Sequence, residues 1–216
     1  MRRENEAWLS PWEPSAPLSW ADRHDPAAYR AMRRAASRRA RLGMSLPFAV
    51  HYEGRLAGQV TVDNIVRGAL RSGHLGYWVD SAVAGRGVAS LAVALVCDHA
   101  FGPVGLHRLQ ADIRPENGPS RRLVERLGFR QEGLFRNYLD IDGAWRDHLA
   151  YALLAEDSPR GVVAVWASRA PGPTDCPLPL RDAQRTPTRR HVGHATPTHR
   201  RTSRVSAAQA LTLTAE

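Results

Sequence analysis

The feature that most constrains this chain is a strand-like run that passes through a glycine-bearing turn straight into an apolar helix. His74-Leu75-Gly76-Tyr77-Trp78-Val79-Asp80 carries the aromatic and β-branched side chains that suit a pleated strand. Gly85-Arg86-Gly87 follows, and Val88 to Phe101 is almost unbroken apolar sequence of helix length. A helix start leaves backbone N–H groups unpaired and carries partial positive charge. Glycines there let an anion approach those groups closely. Such a turn can therefore hold a pyrophosphate through main-chain contacts. The bland alternative is a glycine turn serving only strand–helix packing. Two better-known phosphate turns do not fit. A P-loop requires a lysine, and the sequence has none. A dinucleotide-binding GxGxxG would need glycine where Ser90 stands, within a βαβ unit that begins earlier.

A second strand–turn–helix lies downstream. His107 to Arg114 reads as a strand, and Asn117 to Leu127 as an amphipathic helix. Asn117 suits a helix cap, and Ser120, three residues on, shares its face. Upstream, Asp25-Pro26 is a cap followed by a first-turn proline, and Gly43 is a C-terminal stop. That helix sets Tyr29, Met32, Ala35 and Ala36 on one face and crowds Arg33, Arg34, Arg38, Arg39 and Arg41 on the others. The arginine face is either solvated or a docking surface for an acidic partner. Residues 47–53, 56–66, 129–138 and 144–154 complete the strands, the last two joined by Asp142-Gly143, the residues of a type I′ turn. Met1 to Trp20 reads as a loop pinned by Trp8, Trp12 and Trp20. The predicted class is α+β, a mixed central sheet flanked by helices.

With 216 residues, 43% apolar, the chain can build one domain with a sizeable core. Its net charge of +9 is uneven. Residues 1–157 hold 21 arginines against 18 acids, and residues 158–216 hold 9 against 3. The second stretch has no sustained apolar period and is read as a basic disordered tail after a folded domain at 1–157. It is either a passive extension or a weak electrostatic contact for RNA or a ribosome. Its histidines (His191, His194, His199) are spaced too loosely for a metal site, and none is expected. Two cysteines exclude a disulfide framework, and Cys97 reads as a core residue rather than a nucleophile. The N-terminus lacks the apolar run of a secretory signal, and Val88–Cys97 is too short to span a bilayer. No membrane association and a cytoplasmic setting are the expectation.

Three linked motifs carry a family resemblance over about residues 7–156. They are Gly76-Tyr77-Trp78-Val79-Asp80 with Gly85-Arg86-Gly87-Val88-Ala89; Pro115-Glu116-Asn117 with Ser120-Arg121-Arg122-Leu123 and Glu125-Arg126-Leu127-Gly128-Phe129; and Glu132-Gly133-Leu134 with Tyr138-Leu139, Ile141-Asp142-Gly143 and Trp145-Arg146-Asp147-His148. The sequence resembles the GNAT N-acetyltransferases, of the RimJ/RimL type that acetylates the N-terminal alanine of ribosomal proteins. The resemblance implies acetyl-CoA as donor and a protein N-terminus, possibly ribosomal in origin, as acceptor. It implies that Tyr77, Trp78 and Val79 pair with the pantetheine arm and that the Val79 N–H polarises the thioester carbonyl. Ala84, Gly85, Arg86, Gly87, Val88 and Ala89 would wrap the pyrophosphate. Asn117 would touch the CoA arm, and Ser120 would return a proton to the departing thiolate. An amine that attacks a thioester directly needs orientation, oxyanion stabilisation and a proton acceptor, but no enzyme nucleophile.

The sequence departs from the family pattern in places. Ala84 replaces a Gln or Arg, for which Arg86 is a substitute. A first strand expected before Ala7 is missing, which would leave a sheet edge open. Leu139 stands near where a carboxylate base is expected, leaving Asp112, Asp140, His74 or a relayed water as candidates. The competing readings are a small-molecule amine acetyltransferase and a catalytically weak CoA-binding or ribosome-docking protein.

Overall fold

The structure, a computed structural model, describes residues 1–169 and 211–215. Three helices precede the sheet: α1 (Glu6–Leu9), α2 (Trp20–Arg23) and α3 (Pro26–Arg41). Asp25 caps α3 by accepting from the Ala28 N–H at 2.6 Å. The segment read as a loop is thus partly helical, though its indoles do anchor it. Trp20 is buried and donates to the Arg2 carbonyl at 3.1 Å, and Trp8 donates to the Val79 carbonyl at 3.0 Å.

β1 (Leu46–Tyr52), β2 (Arg55–Val66) and β3 (Ser72–Val79) form an antiparallel meander. α4 (Val88–Phe101) then crosses over to β4 (Arg108–Ile113), which lies parallel to β3. After α5 (Gly118–Leu127) the chain closes with the hairpin of β5 (Arg130–Ile141) and β6 (Ala144–Leu154), β6 lying antiparallel to β4. Asp142 and Gly143 both have positive φ, 53° and 71°, as a type I′ turn requires. Strand alternation sends Leu109, Ala111, Tyr151 and Leu153 to one face, where they bury against α4 and α5. α4 is buried on nearly every side, with Val93, Val96 and Cys97 fully enclosed. Each such side chain contributes roughly 1.5–3 kcal/mol of transfer free energy.

Two elements lie where a disordered tail was expected. α6 (Val162–Arg169) packs on α4, its first N–H groups bound by the Asp98 carboxylate: Val162 N to Oδ1 at 2.5 Å and Val163 N to Oδ2 at 3.1 Å. β7 (Leu211–Ala215) pairs antiparallel with β1, from Phe48↔Ala215 to Tyr52↔Leu211. Among the described residues the sheet therefore has seven strands in the order β5-β6-β4-β3-β2-β1-β7, and β7 covers the edge that the lack of a first strand was expected to leave open. Both elements depend on partners remote in sequence, which local periodicity does not register. The rest of the tail reading, including its RNA contact, concerns residues 170–210 and 216, outside the described ones. No helix among the described residues is long and apolar enough to cross a membrane.

Candidate active site

β3 and β4 pair only at Ser72↔Arg108, Gly73↔Leu109 and His74↔Gln110, then part, although both strands continue. The gap exposes one edge of β3. Asp80 donates its N–H to the Ala57 carbonyl on β2 at 2.8 Å. Alternation along the strand therefore turns the main-chain groups of Tyr77 and Val79 the other way, into the gap. The Val79 carbonyl is taken there by Trp8, whereas the N–H groups of Tyr77 and Val79 face the opening. An extended, amide-bearing ligand can pair with this edge as a further strand does.

The gap leads to the start of α4. Asp80 closes a short turn by accepting from the Ala82 N–H at 2.9 Å, and the Asn5 side chain fixes the turn by accepting from the Ser81 N–H at 2.9 Å. Ala84 follows in extended conformation. Gly85 and Gly87 have φ of +76° and +79°, and among the described residues no atom lies within 4 Å of where a Cβ would stand on either. Gly87 is the N-cap of α4, so no side chain satisfies the first N–H groups, which include those of Val88 and Ala89. Arg86 is exposed beside them. Unpaired amides, an open space that a Cβ would fill and an adjacent guanidinium fit a diphosphate.

α5 begins against the same strand. The Tyr77 hydroxyl donates to the Ser120 carbonyl at 3.2 Å, and burial holds the phenol well above its ordinary pKa. Asn117 Oδ1 accepts from the Ser120 N–H at 3.1 Å. The capping role thus occupies that oxygen and leaves the amide nitrogen for any ligand contact. Trp78, on the opposite face of β3 from Tyr77, is covered by the Arg2 guanidinium 4.7 Å from its ring centroid. Cys97 is fully buried, and burial pushes its thiol far above the range in which thiolate forms. Among the described residues no group of three His, Cys, Asp or Glu is arranged to hold a metal ion.

On the sheet face away from α4, the three candidate bases separate. His74 Nδ1 lies 3.3 Å from Asp112 Oδ2, where the strands begin to part. Asp112 also accepts from Gln110 at 2.9 Å and from the Tyr138 hydroxyl at 3.4 Å. The hydrogen-bonding Asp112 carboxylate raises the His74 pKa above its ordinary value, outweighing partial burial. Asp140 does not join them. It accepts from Ser15 at 2.7 Å near the tip of the β5–β6 hairpin. Sequence reasoning missed Tyr138, because a two-residue bulge in β5 opposite Asp147 aims it, and nothing local signals that bulge.

A family model described as "Acetyltransferase (GNAT) domain" matches residues 2–130. The ribosomal protein uS5-alanine N-acetyltransferase of Escherichia coli (strain K12) is 31% identical over 156 residues, covering 71% of this chain and 79% of that protein. Probable N-acetyltransferase YjcK of Bacillus subtilis (strain 168) is 42% identical over 105 residues, or 49% of this chain and 58% of YjcK. Among solved structures, Mycobacterium smegmatis RimJ in complex with CoA-disulfide is similar with a TM-score of 0.76 and 42% identity, covering 77% of this chain and 80% of that one. The splayed parallel strands and the glycine-capped helix thus occur in a chain whose sequence and topology agree with the same relatives, and this chain belongs to the GNAT acetyltransferases.

Proposed function

We propose that this protein acetylates the N-terminal α-amine of a protein, with acetyl-CoA held along the open edge of β3 and at the start of α4. The observation that carries the reading is the unpaired β3 edge running directly into a helix start whose cap is Gly87. When bound, acetyl-CoA supplies an acetyl group activated as a thioester. The chain's own residues then have separate tasks. The Tyr77 and Val79 N–H groups orient the arm, and the latter donates to the carbonyl oxygen where negative charge grows. The main chain of Ala84, Gly85, Gly87, Val88 and Ala89, with the Arg86 side chain, neutralises the diphosphate. Asn117 contacts the arm through Nδ2, and Ser120 holds a proton near the sulfur.

A peptide acceptor is favoured by the exposed apolar side chains of the β5–β6 hairpin. Leu134, Phe135 and Trp145 are all exposed there, as suits an extended chain better than a small polar amine. The name of the E. coli relative points to the alanine terminus of a ribosomal protein. The test is thiol release from acetyl-CoA in the presence of peptides that begin with alanine, serine or methionine, and of a polyamine. Turnover of an alanine-first peptide supports the reading. Turnover of the polyamine alone transfers the protein to the small-amine class, and CoA binding without turnover of either makes it a binding protein.

A further inference from the structure

Helix α3 carries a concentration of charge that neither the sheet nor the proposed acetyl-CoA site uses. It holds six of the 21 arginines in residues 1–157 and none of their 18 acids, so the rest of that stretch is net acidic. We propose that α3 is a docking surface for the phosphate backbone of RNA, gripped by Arg30, Arg33, Arg34, Arg38 and Arg41. The choice of RNA rests on the acetylation reading above, whose favoured acceptor is the terminus of a ribosomal protein, a class that assembles on RNA.

One arginine seats the helix and the others are left outside. Arg39 donates to Asp63 at 2.6 Å. Asp63 follows Val62, a core residue on the α4 side, so α3 lies on the opposite side of the sheet. No residue of α3 is buried, and Tyr29, Met32 and Ala35, from the face expected to pack, are exposed. Among the described residues no carboxylate lies within 4.0 Å of the Arg30, Arg33, Arg34, Arg38 or Arg41 guanidinium.

Helical spacing gathers these side chains. Arg30, Arg33, Arg34, Ser37 and Arg41 line one groove along the helix, and Arg34, Arg38 and Arg39 line the next with Ala35 and Leu42. About 16 Å of helix rise separates Arg30 from Arg41, enough to follow several successive phosphates. Like charges one turn apart, as in Arg30 with Arg34 and Arg34 with Arg38, repel until an anion sits between them. Guanidinium groups bind phosphate oxygens in pairs, which suits them to a nucleic-acid backbone.

The lining discriminates among polyanions. An acidic protein would need an apolar centre as anchor, and no apolar residue lines the first groove. An anionic membrane would need a bulky apolar face to sink into lipid, and α3 contains no Trp, Phe, Leu, Ile or Val. A sugar–phosphate chain needs neither, because its affinity comes from released counterions. The side of the sheet on which α3 lies also carries Trp78 and Phe135, since their neighbours Tyr77 and Leu149 (the latter beside His148, the partner of Phe135) pack on the core. A terminus presented by an RNA-bound protein thus meets the hairpin and α3 from one side.

The test is fluorescence anisotropy of the full chain, without acetyl-CoA, over a series of salt concentrations. The probes are a labelled RNA hairpin, a DNA duplex of the same length and a polyglutamate peptide. Wild type should bind the RNA with log affinity falling linearly against log salt. The quadruple variant Arg30→Ala, Arg33→Ala, Arg34→Ala, Arg41→Ala gains helix propensity and should fold and acetylate a free peptide as the wild type does. Its salt slope should be shallower by about 3–4, from about 0.7–0.9 for each phosphate contact removed. The matching lysine variant keeps the charge and should keep the slope. The proposal is overturned if the alanine variant keeps the wild-type slope, or if changing Arg189, Arg190, Arg200 and Arg201 to alanine abolishes binding that the α3 variant retains. It is equally overturned if the DNA duplex or polyglutamate binds more tightly than the RNA, or if none of the three binds. Acetylation of a free peptide without RNA binding defeats the docking surface alone. RNA binding lost in the α3 alanine variant, with no acetylation by the wild type, defeats the functional reading and leaves the docking surface standing.

Discussion

Gly87 offers a way to separate backbone strain from ligand recognition at the proposed diphosphate site. Gly87→Ala and Gly87→Glu place the same Cβ on a residue at φ +79°, where no atom of the described residues lies within 4 Å of it. Neither Cβ clashes, so both variants incur only the left-handed penalty of about 1–2 kcal/mol. At about 2–4 °C per kcal/mol, each should melt about 2–8 °C below the wild type, and the two should melt together. Their CoA affinities should diverge. A unit charge about 4 Å from a phosphate oxygen is repelled by about 1 kcal/mol in bulk water and about 4 kcal/mol near a protein surface. Gly87 is exposed, so the lower half of that range applies. Gly87→Glu should bind CoA about 5- to 30-fold more weakly than Gly87→Ala, a gap of about 1–2 kcal/mol. Calorimetry at low and high salt measures the gap, which should narrow as screening increases. Equal affinity in the two variants would refute a diphosphate at this helix start, because the added carboxylate would then have nothing to repel.

Ser120→Ala should lower kcat while leaving CoA affinity unchanged, because the Asn117 cap uses the Ser120 main-chain N–H and not its hydroxyl; steady-state kinetics beside calorimetry decide this. Asp98→Ala removes the acceptor for the first two N–H groups of α6 and should cost about 1–2 kcal/mol in urea unfolding, with Asp98→Asn intermediate. The raised His74 pKa has a consequence for folding. A group more basic in the folded state contributes stability that is complete below its unfolded pKa of about 6.5 and is lost as pH rises through the folded value. Wild-type melting temperature should therefore decline slightly over that window, and His74→Gln should flatten the decline.

What could be read from the sequence was whatever local chemistry decides. Asp25-Pro26 announced α3, Asp142-Gly143 announced the last hairpin, and Gly85-Arg86-Gly87 announced the helix start, since each depends on φ or on a cap within a few residues. α6 and β7 escaped for the opposite reason. The α6 cap is Asp98, 64 residues before Val162, and β7 has five residues that, among the described residues, pair with β1 alone. The glycine turn at the start of α4 was legible because it is made of backbone. The meeting of His74 with Asp112 was not, because it follows from where the parallel register of β3 and β4 ends. Nor was Tyr138, which reaches them only through a bulge in β5.

The bond from the Trp8 indole to the Val79 carbonyl makes the entrance to the strand gap self-reporting. A fluorophore is tethered to the last main-chain oxygen on the edge that an incoming arm would line, and its ring is 40% exposed to solvent. Any molecule that docks along that edge changes the polarity around the indole. Occupancy can thus be followed by intrinsic emission without a label, with Trp8→Phe as the dark control for the remaining five tryptophans.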